Sequence, residues 1–221
     1  MDLKNSKVSD RGLQDLEGMT TLTILTLDGT PVTDQGLSHL SKLTDLRVLT
    51  LGEQHITDAG LEHLKDLTRL YNFQVTSDRI TDRGLAALRG FKGLRALVVG
   101  GPQITDAGLE QLKGLAGLKL LGVSSPQITD QGLDALNSLT NLNELILSGC
   151  SGITDAGLKR LEGLAGLQTL YLEGCPKITD AGLEYVKDLG VFRALDVKGT
   201  AVTDAGVKKL RQAIPTLRIT R

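Results

Sequence analysis

The sequence Ile153-Thr154-Asp155-Ala156-Gly157-Leu158 decides the architecture, because close copies of it recur from one end of the chain to the other. Its Asp-x-Gly core occurs nine times and is followed by leucine in every copy except the last, where Val207 follows. The aspartates of these copies are Asp10, Asp34, Asp58, Asp82, Asp106, Asp130, Asp155, Asp180 and Asp204. Successive copies are 24 residues apart, except for two steps of 25. A constant period in this range predicts a solenoid, which grows by stacking one unit on the next.

Each unit begins with a short predicted strand. In the second unit, Leu25 and Leu27 are two residues apart, so they face the same side of an extended chain. The residues between and beside them face the other side, which lies outside the predicted core. The same frame predicts eight complete strands in a parallel sheet, with partial units at both ends.

A turn and a short helix complete each unit. Leu37, Leu40 and Leu43 fall on one stripe of a helix that faces the core. Thr33 is placed to accept a hydrogen bond from an unpaired amide at the helix start, where the charge of Asp34 is also favourable. The glycine of the core occurs in all nine copies although glycine weakens a helix. We therefore expect this glycine to allow close approach of the neighbouring unit.

Length and composition favour one continuous repeat domain over residues 1–221. Basic and acidic residues nearly balance, 25 against 26, so no excess of positive charge favours nucleic acid. No leader or membrane-spanning stretch is recognisable, which favours a cytoplasmic location. Only two cysteines occur and 3% of residues are aromatic, so the predicted core is aliphatic and is not a disulfide scaffold.

The repeat resembles a known family. The pattern Leu-x-x-Leu-x-Leu-x-x-Cys, which ends at Cys150 or Cys175 and is followed by Ile-Thr-Asp-x-Gly-Leu, resembles leucine-rich repeats of the cysteine-containing, ribonuclease-inhibitor-like subclass. The run 210–217 is similar to the closing repeat of many bacterial leucine-rich repeat proteins, especially planctomycete ones. The resemblance covers essentially the whole chain and implies an α/β horseshoe. Its sheet lies on the concave face and its helices on the convex face, because strands stack about 4.8 Å apart whereas helices need roughly 8 to 10 Å.

One position departs from the family pattern. Where asparagine or cysteine is usual, in what the family calls its ladder, this sequence has Thr30, Gln54, Asp78, Pro102, Pro126 and Thr200. We expect hydrogen bonding at this position to differ from that of the family, with no change in the fold.

Three columns of side chains are predicted to point outward from the strands, and together they define the open strand face. The first column is Ile24, Val48, Asn72, Ala96, Leu120, Glu144, Thr169 and Ala194. The second is Thr26, Thr50, Gln74, Val98, Gly122, Ile146, Tyr171 and Asp196. The third is Asp28, Gly52, Thr76, Gly100, Ser124, Ser148, Glu173 and Lys198. The centre of this face is apolar, and its C-terminal side is acidic.

The resemblance implies a non-enzymatic module that binds a protein or peptide on the concave strand face. The candidate binding residues are Asn72, Gln74, Ala96, Val98, Leu120, Gly122, Glu144, Ile146, Thr169, Tyr171, Glu173 and Asp196. Tyr171 is the only aromatic residue in the columns and is the predicted anchor. In one alternative, the small side chains merely suit a twisted sheet. In another, the chain is a structural element that assembles through its open ends, including a homodimer through the N-terminal end.

No motif in the sequence predicts catalysis, a cofactor or a metal ion. His39 and His63 share a helical position and His55 lies in the turn between them, but a solvated helix face explains them without a metal. Helix starts explain the aspartates better than calcium does, because the glycine-rich calcium nonapeptide is absent. The two cysteines are interpreted as buried structural thiols. Gly100-Gly101 matches no phosphate-binding loop.

Overall fold

The computed structural model describes residues 1–52, 55–187, 189 and 191–221, and in these ranges nine strands form one parallel sheet in sequence order. The strands are β1 (Ile24–Thr26), β2 (Val48–Leu51), β3 (Asn72–Thr76), β4 (Ala96–Gly100), β5 (Leu120–Ser124), β6 (Glu144–Ile146), β7 (Thr169–Tyr171), β8 (Ala194–Asp196) and β9 (Arg218–Thr220). The first eight are the predicted complete strands, and β9 is the C-terminal partial one. At the other end, Asp2 bridges to Thr26 of β1 and begins the partial N-terminal unit.

The helices are shorter than the leucine stripe predicts. They are α1 (Asp10–Gln14), α2 (Asp34–Ser38), α3 (Asp58–Glu62), α4 (Asp82–Ala86), α5 (Asp106–Glu110), α6 (Asp155–Lys159), α7 (Leu183–Val186) and α8 (Asp204–Ala213). In the second unit the helix ends at Ser38, and tight turns follow in which the Leu40 amide donates to the Leu37 carbonyl at 3.0 Å. The Leu43 amide donates to the Leu40 carbonyl in the same way, at 2.9 Å. Leucines three residues apart suit this geometry, because a 3-10 helix has three residues per turn.

In three units this part of the chain forms regular 3-10 helix. The segments are Ala87–Gly90, Gly132–Ser138 and Arg160–Gly163.

One core runs along the whole solenoid between the sheet and the helices. Inward residues of successive strands are in register, so Leu25, Leu49 and Phe73 stack on one another with no exposed surface. The ring of Phe73 packs edge-on against Phe91, with centroids 6.2 Å apart. The other buried residues are almost all leucine, isoleucine or valine, as the composition predicts.

Eight of the nine repeated aspartates tie their own unit to the next one. Asp58 Oδ1 accepts a hydrogen bond from the Thr81 amide at 2.9 Å, and Asp58 Oδ2 accepts one from Thr81 Oγ1 at 2.7 Å. A Cβ added at Gly84 would lie 2.4 Å from Asp58 Oδ1. This confirms that the glycine allows close approach of the neighbouring unit.

The same contact is made eight times, and we call the series the helix-start ladder. Its members are Asp10–Thr33, Asp34–Thr57, Asp58–Thr81, Asp82–Thr105, Asp106–Thr129, Asp130–Thr154, Asp155–Thr179 and Asp180–Thr203. The predicted threonine cap is also confirmed, since Thr81 Oγ1 accepts from the Arg83 amide at 3.2 Å. The prediction for the aspartates was incomplete, because each of these eight carboxylates also bonds the threonine that precedes the same position in the following unit.

The turns after the strands take two forms. In the outer units, a glycine with positive φ follows the strand, at Gly29, Gly149, Gly174 and Gly199. The next residue then turns inward, so that Thr30 is buried and its Oγ1 donates to the Leu27 carbonyl at 2.7 Å. Strand β1 ends after three residues.

In the middle units, β3, β4 and β5 are five residues long and the inward position moves back by one residue. Ser77 and Ser125 are buried there, and their hydroxyls donate to the carbonyls of Ile56 and Ile104 at 2.6 and 2.7 Å. Asp78, Pro102 and Pro126, which the repeat pattern assigns to the ladder position, are all exposed, and in two of these units the serine before them supplies the buried polar group instead. Ser77 and Ser125 stand where the outer units have a glycine, and serine rarely adopts the positive φ of those turns. In the unit of β4 the same position is Gly101, which does not have a positive φ. The predicted position Gln54 lies outside the described residues.

Candidate functional site

The open strand face is arranged as the sequence predicts. Strand register places Ile24 beside Val48 and continues the first column without a slip to Ala194. Ten of the twelve candidate binding residues are half-buried: Asn72, Gln74, Ala96, Val98, Leu120, Glu144, Ile146, Thr169, Tyr171 and Asp196. Glu173 is exposed, and Gly122 is buried.

The apolar centre of the face consists of Val98, Leu120 and Ile146. Val98 and Ile146 are the register neighbours of Gly122 on either side. A Cβ added at Gly122 would lie 3.1 Å from Val98 Cγ2, so the valine side chain covers the glycine. Gly122 itself is therefore covered by Val98, and its place among the candidate binding residues stays a prediction.

The acidic side of the face carries less free charge than the sequence predicts. Glu173 Oε1 lies 3.3 Å from Lys198 Nζ, and Asp196 Oδ1 accepts a hydrogen bond from the Lys198 amide at 2.9 Å. Tyr171 lies between Ile146 and Asp196 in the register, at the boundary of the apolar and acidic regions. Its position therefore agrees with the sequence, whereas the negative charge beside it is partly balanced by Lys198.

A groove at the C-terminal ends of β3, β4 and β5 was not predicted. Its volume is about 520 Å³. It is lined by His55, Thr76, Ser77, Asp78, Gly100, Gly101, Pro102, Ser124 and Pro126. A Cβ at Gly100 would lie 3.1 Å from Thr76 Cγ2, so the absent side chain keeps the floor of the groove open. The only sequence signal for the groove is the Gly100-Gly101 pair followed by proline.

Sequence reasoning also missed a row of residues at the opposite end of the strands. Arg47, Tyr71, Arg95 and Lys119 occupy equivalent positions just before β2, β3, β4 and β5, and we call them the strand-start row. Backbone hydrogen bonds of 2.8 to 2.9 Å join successive members. All four are exposed, and Tyr71 is 45% exposed. The signal was a basic residue or tyrosine at a fixed place in four consecutive repeats.

His39 and His63 follow α2 and α3, and His55 precedes α3. His39 Nδ1 contacts Glu17 Oε1 of the preceding unit. His55 and His63 are exposed. Within the described ranges, no group of three or more His, Cys, Asp or Glu side chains could hold a metal ion.

Both cysteines are free thiols without exposed surface, which confirms the predicted burial. Cys150 Sγ donates to the Val123 carbonyl at 3.5 Å, and Cys175 Sγ donates to the Leu147 carbonyl at 3.1 Å. Burial raises the pKa of Cys150 to about 11 and that of Cys175 to about 12. A thiol of such high pKa is almost entirely protonated at neutral pH and is therefore a poor nucleophile.

Comparison with known proteins gives the same architecture. A family model described as a leucine-rich repeat matches residues 138–161. An internalin (inlF) from Listeria monocytogenes has a solved structure that superposes with a TM-score of 0.74 at 26% sequence identity. The chain is a leucine-rich repeat solenoid. The match covers 94% of this solenoid but only 56% of that internalin.

A second internalin of the same bacterium, internalin C2, superposes with a TM-score of 0.62 at 24% identity. That match covers 96% of the solenoid and 84% of internalin C2. No curated protein is significantly similar to the solenoid in sequence. No helix in the part of the chain that the structure describes is long and apolar enough to span a membrane. The predicted resemblance to the ribonuclease-inhibitor-like subclass and to planctomycete proteins stays a prediction.

Proposed function

We propose that this solenoid is a non-enzymatic module that binds a protein or peptide across the open strand face, on the concave side of the sheet. The observation that carries the proposal is the apolar centre of that face. Val98, Leu120 and Ile146 are only half-buried. Units with small polar residues at these positions would stack equally well, so stacking does not require these apolar side chains. Curved repeat solenoids commonly use such extended surfaces for binding.

The size of the face suits a macromolecular partner. Eight strands about 4.8 Å apart span roughly 34 Å. A face two or three residues wide then offers on the order of 600 Å², close to the roughly 800 Å² that each partner contributes to an ordinary interface. The groove beyond Gly100 extends the surface at one edge and provides space for a side chain of the partner.

Affinity capture from a lysate of the source organism tests the proposal. The wild-type chain is compared with a variant that carries Val98→Glu and Ile146→Glu, and with a control that carries Glu162→Ala on the helical side. We expect a protein that is retained by the wild type and the control but lost from the charged variant. Retention that is equal in all three would place the binding site elsewhere.

Assembly through the ends of the solenoid is the alternative function. The N-terminal unit favours it, because Leu3 and Val8 are only partly buried and Met1 is 41% exposed. A homodimer through this end predicts a doubled mass in sedimentation that Val8→Lys abolishes. A chain that is monomeric at high concentration would exclude this alternative.

A further inference from the structure

From the strand-start row we infer that the solenoid binds an acidic segment of its partner along the starts of β2 to β5. In that segment, carboxylates alternate with apolar residues. The inference rests on the proposed function and adds the chemistry of the partner. It places that segment at the edge of the open strand face opposite the groove.

Charge is the first support. Arg47 and Lys119 make no side-chain hydrogen bond or ion pair with any described residue. Arg95 Nη1 donates only to a backbone carbonyl, that of Gly117, at 3.0 Å. Three cations therefore lie along four neighbouring strands, and none of them is paired with a carboxylate in the described ranges. Such an array favours a segment of opposite charge.

Two carboxylates that lie close to the row in sequence or register do not pair with these cations. Asp45 lies two residues before Arg47, but it pairs with Arg69. Glu144 is the register neighbour of Leu120, one strand beyond Lys119, and lies more than 4.0 Å from it. Glu144 thus marks the end of the basic region and the beginning of the acidic one.

Apolar surface beside the cations is the second support. The residue after each member of the row belongs to the first column of the face, and three of these four residues are the apolar Val48, Ala96 and Leu120. All three are half-buried. Tyr71 adds an exposed ring within the row, and tyrosine is a favoured anchor at interfaces. A purely acidic segment would leave this apolar strip uncovered, so the partner needs apolar residues as well.

The spacing fits a peptide. Four strands about 4.8 Å apart give a row roughly 14 Å long. Side chains on one face of an extended peptide recur about every 6.8 Å, so two or three carboxylates reach the row at once. A nucleic acid also carries regular negative charge, but the apolar strip offers nothing to its phosphates.

A displayed library of random peptides, selected on the wild-type chain, tests the inference. We expect the enriched sequences to be rich in Asp and Glu alternating with apolar residues. The most enriched peptide is then synthesised and titrated. Its affinity is expected to fall about tenfold or more in the double variant Arg47→Glu and Lys119→Glu, and to weaken with added salt.

The matched control is the double variant Arg83→Glu and Arg89→Glu, which makes the same change of charge at exposed positions on the helical side. We expect its affinity to stay within about twofold of the wild type, because it lies outside the contact. A further variant, Tyr71→Ala, tests the ring without changing charge and should weaken binding several-fold.

The contrary outcomes are distinct. Enrichment of neutral or basic peptides whose binding is lost with Val98→Glu and Ile146→Glu would overturn the inference and leave the proposed function standing. Enrichment of no sequence would count against both. An equal loss in the helical-side control, or displacement of the peptide by a single-stranded oligonucleotide at lower concentration, would also overturn the inference.

Discussion

The helix-start ladder and the open strand face obey opposite rules, although both run the length of the solenoid. The ladder repeats the same aspartate, threonine and glycine from unit to unit, and each carboxylate is fully used by the next unit. The face changes its residue in most units, for example from Val98 through Gly122 to Ile146, while the backbone register stays constant. Positions that repeat therefore hold the stack together, and positions that vary are free to recognise a partner.

The largest effect that follows from this comparison concerns the ladder glycine. We expect Gly84→Ala to lower the free energy of unfolding by about 2 to 3 kcal/mol, because the new Cβ would lie 2.4 Å from Asp58 Oδ1. Gly12→Ala in the first unit is the matched control, since its Cβ would meet nothing closer than Val8 Cγ1 at 3.4 Å. There the exchange should stabilise the helix by about 0.5 to 1 kcal/mol. Urea denaturation of both variants gives the comparison.

A second variant shows whether the aspartate causes this difference. Asp58→Ala alone removes two hydrogen bonds to Thr81 and should cost about 1.5 to 3 kcal/mol. In that background Gly84→Ala should lose most of its cost, because the carboxylate that the new methyl group meets is gone. If the two costs simply add, the glycine is needed for another reason.

Much of the fold follows from sequence because the stack repeats. The two-residue spacing of Leu25 and Leu27 predicts the strands, and the constant period predicts their register. Contacts between units are harder to predict, since the reach of Asp58 to Thr81 depends on how closely two helices approach. The shift from Thr30 to Ser77 at the inward position was also missed, because it changes the turn without changing the repeat length.

The site was predicted in outline only. Alternation along a strand identifies which residues face outward, and the structure agrees for Val98, Ile146 and Tyr171. It does not show which charges are paired, so the bridge between Glu173 and Lys198 was not foreseen. The groove and the strand-start row lie at the ends of the strands, where the two-residue alternation no longer applies.

The next effect concerns the open strand face. We expect Tyr171→Ala to weaken partner binding by about 1 to 2 kcal/mol, since binding energy concentrates in a few desolvated anchors. The ring is half-exposed and outside the core, so the free energy of unfolding should change by less than about 1 kcal/mol. Isothermal titration with the captured partner measures the first quantity and urea denaturation the second. A larger loss of binding with Glu162→Ala would move the site to the helical side.

The smallest effect concerns the last aspartate–threonine pair of the ladder and its dependence on pH. Hydrogen bonds from the Thr203 hydroxyl and amide, at 2.6 and 2.7 Å, hold the pKa of Asp180 below its ordinary value of 3.8, and the charge of Arg221 adds to the shift. Because the pKa is lower in the folded chain than in the unfolded chain, the pair stabilises the fold at pH values above the ordinary pKa. That contribution to stability is lost as the pH falls through the lowered pKa of the folded chain.

We therefore expect Asp180→Asn to reduce the loss of stability on acidification below about pH 4, because asparagine does not titrate. Urea denaturation at a series of acidic pH values measures the slope of unfolding free energy against pH. Asp15→Asn is the control, since Asp15 is exposed and its carboxylate has no hydrogen-bond or ion-pair partner among the described residues. Equal slopes for the Asp180 variant and the wild type would mean that this pair stabilises the fold through shape rather than charge. The charge of this repeated aspartate would then contribute little to holding the stack together.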